Sequence, residues 1–158
     1  MDVERATVRL EELCARGERC RWELREKLRR WMVPSAQAER ILDSLEERRF
    51  LDDNRFAAAY VNDRMRFARR GRMAVKRELA LKHIDPDVVA DLLEEVDMEM
   101  YEANLDYILR ARLRSMGPGA IADYANRVKL FRFAVQRGYE TSMASAAIRR
   151  LRDEAMDE

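Results

Sequence analysis

A quartet of apolar residues occurs three times along the chain, and this repetition restricts the possible folds more than any other feature of the sequence. Each copy has apolar residues at i, i+3, i+4 and i+7, a spacing that places one stripe on one face of an α-helix. The copies lie 51 and 55 residues apart: Ala38-Ile41-Leu42-Leu45, Val89-Leu92-Leu93-Val96 and Ala144-Ala147-Ile148-Leu151. Because one such helix cannot bury its stripe alone, repeated copies must pack against neighbouring helices.

The residues before each quartet repeat with the same offsets. A helical apolar pair precedes each copy, at Leu24-Leu28, Val75-Leu79 and Leu130-Ala134, and a further amphipathic segment precedes each pair. A short turn between pair and quartet carries one apolar residue, which is Val33, Ile84 or Tyr139. The sequence therefore predicts an all-α protein of three tandem three-helix repeats at residues 1–50, 51–97 and 98–158. Short, capped junctions favour stacking of such repeats into an elongated, curved helical solenoid.

The composition supports a helical protein with a large charged surface. Apolar residues make up 47% of the chain and charged residues 39%, with only 5 Gly and 3 Pro, a balance that is typical of helical proteins. No apolar run approaches the roughly 18–20 residues that cross a membrane, and the N-terminus lacks the apolar region of a signal peptide. We therefore expect a cytoplasmic protein that does not associate with membranes, and its all-round polarity favours a monomer.

Candidates for catalytic and metal sites are few. Cys14 and Cys20 form no CxxC motif and His83 is the only histidine, so packed, reduced thiols are expected rather than a disulfide or a metal site. The adjacent carboxylates Glu46-Glu47 and Asp52-Asp53 would not converge on one substrate atom from a helix or a helix cap. The chain also lacks a GxxxxGK[S/T] phosphate-binding loop. These features predict a protein that is not an enzyme and needs no cofactor.

Basic residues form two clusters, although the formal net charge is only +1. The first cluster occupies residues 64–77, which contain no acidic residue, and comprises Arg64, Arg66, Arg69, Arg70, Arg72, Lys76 and Arg77. The second cluster lies in the third repeat and comprises Arg110, Arg112, Arg114, Arg127, Lys129 and Arg132. Each cluster has two interpretations: a surface that binds DNA phosphates or an acidic protein, or a set of solvated cations at helix ends.

An acidic block separates the two basic clusters. Residues 85–106 contain nine acidic and no basic residues. Asp85 and Asp87 lie near a predicted helix N-terminus, where negative charge is favourable. The remaining carboxylates either contact a basic surface of a partner or pair with arginines of a neighbouring repeat, and both possibilities stay open.

The junction between the first two repeats carries a distinctive motif. Phe50-Leu51 closes one helix, and Asp52 or Asp53 is placed to cap the next. Phe50-Leu51-Asp52-Asp53, followed by Arg55-Phe56-Ala57, Tyr60-Val61 and Arg64, closely resembles the YLDDxRFAxxYVxxR stretch of the RecX family. Residues 23–28 resemble the AELRxKL helix of that family, and residues 40–45 resemble its third-helix pattern. The resemblance covers essentially the whole chain, including the number of repeats.

RecX proteins are bacterial regulators of the RecA recombinase, so the resemblance implies a role in homologous recombination, DNA repair and the SOS response. It further implies a non-enzymatic protein that lies in the helical groove of the RecA–DNA filament and spans neighbouring subunits. Such binding would inhibit filament growth, ATP hydrolysis and strand exchange. Direct contact with single- or double-stranded DNA is a further possibility that the resemblance leaves open.

Two other functions fit the same architecture. The first is an independent DNA-binding protein, because three-helix units resemble helix-turn-helix modules that insert a recognition helix into the major groove. The acidic character of residues 87–96 opposes this interpretation, since DNA phosphates would repel an acidic recognition helix. The second is an inert helical scaffold for another filament, which would leave the ATP hydrolysis of a recombinase unchanged.

Overall fold

The computed structural model describes residues 1–157, and these residues are helical without any β-strand. Nine α-helices and one short 3-10 helix are formed within this range. The α-helices are α1 Val3–Arg16, α2 Arg21–Arg30, α3 Ser35–Glu47, α4 Asp53–Arg66, α5 Arg72–Leu81, α6 Pro86–Glu94, α7 Met98–Met116, α8 Tyr124–Gln136 and α9 Thr141–Met156. The 3-10 helix is Ala120–Ala122, between α7 and α8. The all-α prediction is therefore confirmed. Among residues 1–157, none of the helices combines the length and the apolar character that a membrane span requires.

The predicted apolar stripes form the core of the first three helices. All four members of the first quartet are buried, together with Leu24 and Leu28 of α2 and Ala6 and Leu10 of α1. Leu42 is fully buried, and burying one such side chain contributes about 1.5–3 kcal/mol. The quartet in α9 is buried in the same way, from Ala144 to Leu151.

The second quartet differs from the prediction at its end. Helix α6 stops at Glu94, so Val96 lies outside the helix and is only half-buried. The cause is the cap of the next helix, because Asp97 Oδ1 accepts hydrogen bonds from the backbone nitrogens of Glu99 at 3.0 Å and Met100 at 3.4 Å. The chain must leave the helical path before residue 97 to form this cap.

The turn after the second helix of each triplet has the same conformation three times. One residue adopts a positive φ and the next apolar residue turns back into the core. The positive-φ residues are Met32 (61°), His83 (59°) and Gly138 (102°). The backbone N–H of the following residue donates a hydrogen bond to the carbonyl oxygen five positions earlier. These bonds run from Val33 to Leu28 (3.0 Å), from Ile84 to Leu79 (3.1 Å) and from Tyr139 to Ala134 (3.1 Å). This pattern is the Schellman motif that ends many helices.

The chain divides into two compact units. Unit 1 comprises residues 1–60 and 79–89, and unit 2 comprises residues 61–78 and the chain from residue 90 onward. Helices α4, α5 and α6 each contribute residues to both units. The division into repeats at 1–50, 51–97 and 98–158 stays a prediction based on the sequence offsets.

Candidate interaction surfaces

The two adjacent carboxylates at the junction between α3 and α4 have different partners. Asp52 Oδ1 accepts hydrogen bonds from the backbone nitrogens of Asn54 at 3.0 Å and Arg55 at 3.1 Å, so Asp52 caps α4. Asp53 Oδ1 accepts from the backbone nitrogen of Arg21 at 2.7 Å. Because Arg21 is the first residue of α2, Asp53 satisfies an N-terminal N–H group of a helix that lies 32 residues away in sequence. The sequence indicates a cap at this position, but it gives no sign of this second role.

The other motif residues hold the end of α3 against the start of α4. Leu51 and Phe56 are buried and Phe50 packs against the core of the first three helices. The Arg55 guanidinium donates to the carbonyl oxygens of Arg49 at 3.2 Å and Phe50 at 3.3 Å. These carbonyls follow a helix end where Arg49 has a φ of 64°. Arg55 thus satisfies acceptors that the left-handed turn leaves without helical partners.

The basic cluster at residues 64–77 separates into two groups. Four arginines are engaged within the protein. Glu78 binds Arg70 at 2.7 Å and Arg64 at 3.8 Å, Glu140 binds Arg72, and the Arg69 guanidinium lies 3.9 Å from the ring centre of Tyr107. The remaining three are exposed and make no ion pair within residues 1–157: Arg66, Lys76 and Arg77. Only this second group is available in full to an external anion.

A partly buried hydrogen-bond network explains the position of Arg72. Its Nε donates to Glu140 Oε2 at 2.8 Å, and its backbone nitrogen donates to the hydroxyl of Tyr101 at 2.8 Å. The Tyr101 hydroxyl in turn donates to Glu140 Oε1 at 2.6 Å. Burial acts to raise the pKa of Glu140, but hydrogen bonds from Tyr101 and Arg72 outweigh it and hold this pKa below its ordinary value. Burial also raises the pKa of Tyr101, which stays a neutral donor.

The turn before α5 is held by a direct contact between two glycines. The backbone nitrogen of Gly71 donates to Arg137 O at 2.8 Å, and that of Met73 donates to Gly138 O at 2.9 Å. A Cβ atom at Gly71 would lie 2.0 Å from the backbone carbon of Gly138. Arg137 also hydrogen-bonds to the carbonyl oxygen of Ala68 in the same turn. Glycine at position 71 therefore permits an approach that no other residue allows.

The second basic cluster is divided in the same way. Arg110 pairs with Asp106 and Glu154, both at 2.7 Å. Arg127 donates to the carbonyl oxygens of Ile121 and Ala122, both at 2.9 Å. The Arg112 guanidinium lies 5.3 Å from the centre of the Phe133 ring. Arg112 is exposed as well, and three further exposed members have neither an ion pair nor a contact with an aromatic ring in the described part of the chain: Arg114, Lys129 and Arg132.

The acidic block has local roles at its edges. Asp85 Oδ1 accepts from the backbone nitrogen of Asp87 at 2.9 Å, which stabilises the start of α6. Asp97 caps α7, and Asp106 pairs with Arg110 on the same helix. Four glutamates are exposed and form no ion pair with a neighbouring repeat anywhere between residues 1 and 157: Glu94, Glu95, Glu99 and Glu102.

Both cysteines are free thiols. Cys14 is half-buried and Cys20 is fully buried. Burial raises the pKa of Cys20 to about 12, and a thiol that stays protonated at neutral pH is a poor nucleophile. Residues 1–157 contain no group of three or more His, Cys, Asp or Glu side chains that would hold a metal ion.

Known proteins are similar in sequence to this chain over most of its length. The family profile of the second three-helix domain of RecX matches residues 52–93. The regulatory protein RecX of Herminiimonas arsenicoxydans is 34% identical over 135 residues, which span 84% of this chain and 83% of that protein. The chain belongs to the RecX family. The matched segment 52–93 contains Asp52, Asp53 and the whole first basic cluster.

RecX proteins differ in length, and their solved structures share this fold. The regulatory protein RecX of Clostridium perfringens strain 13 is 28% identical over 129 residues, and the chain spans about 60% of its length. A crystal structure of RecX from Lactobacillus salivarius superposes with a TM-score of 0.77, covering 94% of this chain and 96% of that one at 18% identity. A second crystal structure, of regulatory protein RecX, has a TM-score of 0.78 over 90% of this chain and 70% of that one, at 19% identity.

Proposed function

We propose that this RecX-family protein is a non-enzymatic regulator of the RecA recombinase. It binds in the groove of the RecA–DNA filament and limits filament growth, ATP hydrolysis and strand exchange. One observation carries the proposal, which is the 34% identity to a regulatory protein RecX over 83% of that relative. Its place of action is the cytoplasm, where chromosomal DNA supports RecA filaments, and it acts as a monomer without a cofactor.

The contact surface consists of the cations that the fold leaves exposed and without an ion pair or ring contact among residues 1–157. These are Arg66, Lys76 and Arg77 in the first cluster and Arg114, Lys129 and Arg132 in the second. An arginine that already binds a carboxylate inside the protein gains less from a second anion, because its donors and its charge are partly satisfied. Arg64, Arg70, Arg72 and Arg110 therefore serve mainly to position the exposed members.

A titration of RecA activity tests this function. The protein is added to RecA and single-stranded DNA, and the rate of DNA-dependent ATP hydrolysis is measured. We expect the rate to fall steeply at protein levels well below one per RecA, since a bound regulator would stop the growth of many subunits. An unchanged rate up to an excess of protein would reject the proposal, and an inert scaffold would give that result.

A charge variant locates the contact. The triple substitution R66A/K76A/R77A should raise the concentration for half-inhibition by at least about fivefold, because it removes charges that steer and hold the complex. The matched control R16A/R30A/R40A removes three exposed arginines of the first three helices and lies outside both clusters. Equal inhibition by the two variants would show that the first cluster is only a solvated surface.

The alternative of an independent DNA-binding protein is tested with DNA alone. Exposed cations on α5 and α8, the second helices of their triplets, are the feature that favours it. Such a protein would bind duplex DNA without RecA, and its affinity would fall steeply with salt as counterions are released. Tight, salt-sensitive binding to duplex DNA together with an unchanged RecA rate would establish this alternative in place of the regulator.

A further inference from the structure

The first and third triplets of helices carry opposite charges at equivalent surface positions. Leu24 in α2 and Leu130 in α8 are fully buried and lie 106 residues apart in sequence. The same offset relates Arg21 to Arg127, and it aligns the buried stripe of α3 with that of α9. The surface charges of α2–α3 and α8–α9 can therefore be compared position by position, because the buried stripes of the two helix pairs align.

In the first triplet, carboxylates of α3 surround the arginine. The Arg21 guanidinium binds Asp43 at 2.8 Å, Glu46 at 3.0 Å and Glu39 at 3.4 Å, and its side chain is only 19% exposed. Burial opposes its charged form, but the interactions with Asp43 and Glu46 outweigh that effect and raise the pKa of Arg21. The space between α2 and α3 is thus occupied by ion pairs within the protein.

In the third triplet, the carboxylates are replaced. The residues 106 positions after Glu39, Asp43 and Glu46 are Ser145, Arg149 and Arg152. An open groove of about 320 Å³ lies between α8 and α9 and is lined by these three residues and Arg127. Three guanidinium groups therefore line a groove where the first triplet has two arginines, Arg21 and Arg25, that are paired with three carboxylates.

The groove also has an apolar floor and, within the described residues, one buried donor without an acceptor. Val128, Phe131 and Ile148 line it from both helices. Arg152 Nε is buried and lies 3.5 Å from Asp153 Oδ1, but it has no hydrogen-bond acceptor in the described part of the chain. Arg149 is exposed and makes no ion pair there. A ligand that combines negative charge with an apolar group would satisfy both features of the groove.

We infer that the α8–α9 groove binds an acidic helical segment of a partner protein. The segment carries carboxylates at i, i+4 and i+7 on one face, with an apolar side chain among them that reaches the floor. Helix α3 supplies the template, because Glu39, Asp43 and Glu46 have this spacing and bind the equivalent arginine. This template favours a protein ligand. Two aromatic side chains, Tyr124 and Phe131, also line the groove, so a nucleic acid strand that stacks its bases on them is the alternative occupant in the test.

The partner is defined by its chemistry and need not be RecA. The main binding measurement therefore contains neither RecA nor DNA. The probe is a fluorescein-labelled helical peptide of Ala and Gln with Glu at i, i+4 and i+7 and Leu at i+3. Binding to the full chain is followed by fluorescence anisotropy at low and moderate salt. We expect saturable binding that weakens at least about tenfold when the three Glu residues become Gln.

Three variants make the measurement specific to the groove. S145E/R149D/R152E introduces the residues of the first triplet, so Arg127 would gain internal ion pairs and peptide affinity should fall at least about tenfold. R149D alone changes one exposed residue, which keeps the test valid if the triple variant fails to fold. R150D is the matched control, since Arg150 is exposed on α9 but does not line the groove. It should bind the peptide with nearly native affinity.

Two results would overturn the inference. The first is equal binding of the Glu and Gln peptides, or equal binding by native protein, R149D and S145E/R149D/R152E, because charge in the groove would then be irrelevant. The second is absence of peptide binding together with binding of a single-stranded oligonucleotide of about 12 nucleotides that S145E/R149D/R152E abolishes. That outcome would assign the groove to nucleic acid. Neither outcome affects the RecA titration, so the two proposals fail independently.

Discussion

Replacing Gly71 with alanine tests the backbone contact that fixes the turn before α5. The new Cβ atom would lie 2.0 Å from the backbone carbon of Gly138 and 2.2 Å from the backbone nitrogen of Tyr139. Backbone atoms cannot swing aside as the end of a flexible side chain can, so the two segments must move apart. Separation would weaken the hydrogen bonds from Gly71 N to Arg137 O at 2.8 Å and from Met73 N to Gly138 O at 2.9 Å.

The expected loss of stability follows from these contacts. Overpacking costs about 1–3 kcal/mol, and each weakened hydrogen bond costs about 0.5–1.5 kcal/mol. We therefore expect Gly71→Ala to lower the free energy of unfolding by about 2–6 kcal/mol. In a chain of this size each kcal/mol corresponds to roughly 2–4 °C in the melting temperature.

Urea unfolding followed by circular dichroism measures this loss, and Gly17→Ala is the control. A Cβ atom at Gly17 would have no heavy atom within 4 Å, and its φ of 170° is accessible to any residue. The control should change the free energy of unfolding by no more than about 0.5 kcal/mol. If Gly71→Ala costs less than about 1 kcal/mol more than the control, the two glycines do not approach closely and the reasoning is refuted.

Two further predictions concern carboxylates with distant partners. Asp53→Ala should lower the free energy of unfolding, measured with urea, by about 1–2 kcal/mol because the N–H of Arg21 loses its acceptor. Asp53→Asn keeps an acceptor and should lower it less. An equal loss in the two variants would contradict this role of Asp53. The pKa of Glu140 is lower in the folded state than its ordinary value of 4.5. The stability that its carboxylate contributes to the fold is therefore complete above pH 4.5 and is lost as the pH falls through the folded-state pKa. Glu140→Gln should therefore flatten the acid side of a plot of urea midpoint against pH, and an unchanged slope would contradict the effect.

The periodic features of the sequence predict the helices and their buried faces well. Local spacing determines which side of a helix is apolar, and the stripe from Ala38 to Leu45 is buried as the spacing requires. The same reasoning places Val33, Ile84 and Tyr139 in the core after their turns. The prediction is wrong for Val96 because the cap of the following helix, not the periodicity, decides where α6 ends.

The periodicity of the sequence cannot predict contacts between residues that are far apart in the sequence. The partner of Asp53 is 32 residues away, and that of Gly71 lies in the turn after α8. Which arginine of a charged cluster is exposed depends on such contacts too. Arg72 and Lys76 look equivalent in the sequence, yet Arg72 is bound to Glu140 and Lys76 is exposed.

The repeats themselves indicate where functional residues of this protein should be sought. Positions that face the core, such as Leu24, Val75 and Leu130, stay apolar in every copy because a buried charge without a partner is costly. A surface position is not restricted by packing, so Asp43 can bind Arg21 in one triplet while Arg149 takes the equivalent place in another. A reversal of charge between two copies of one structural unit costs the fold little and changes which ligands the surface attracts. Surface differences between repeats are therefore a better guide to binding sites in this chain than the density of charge along the sequence.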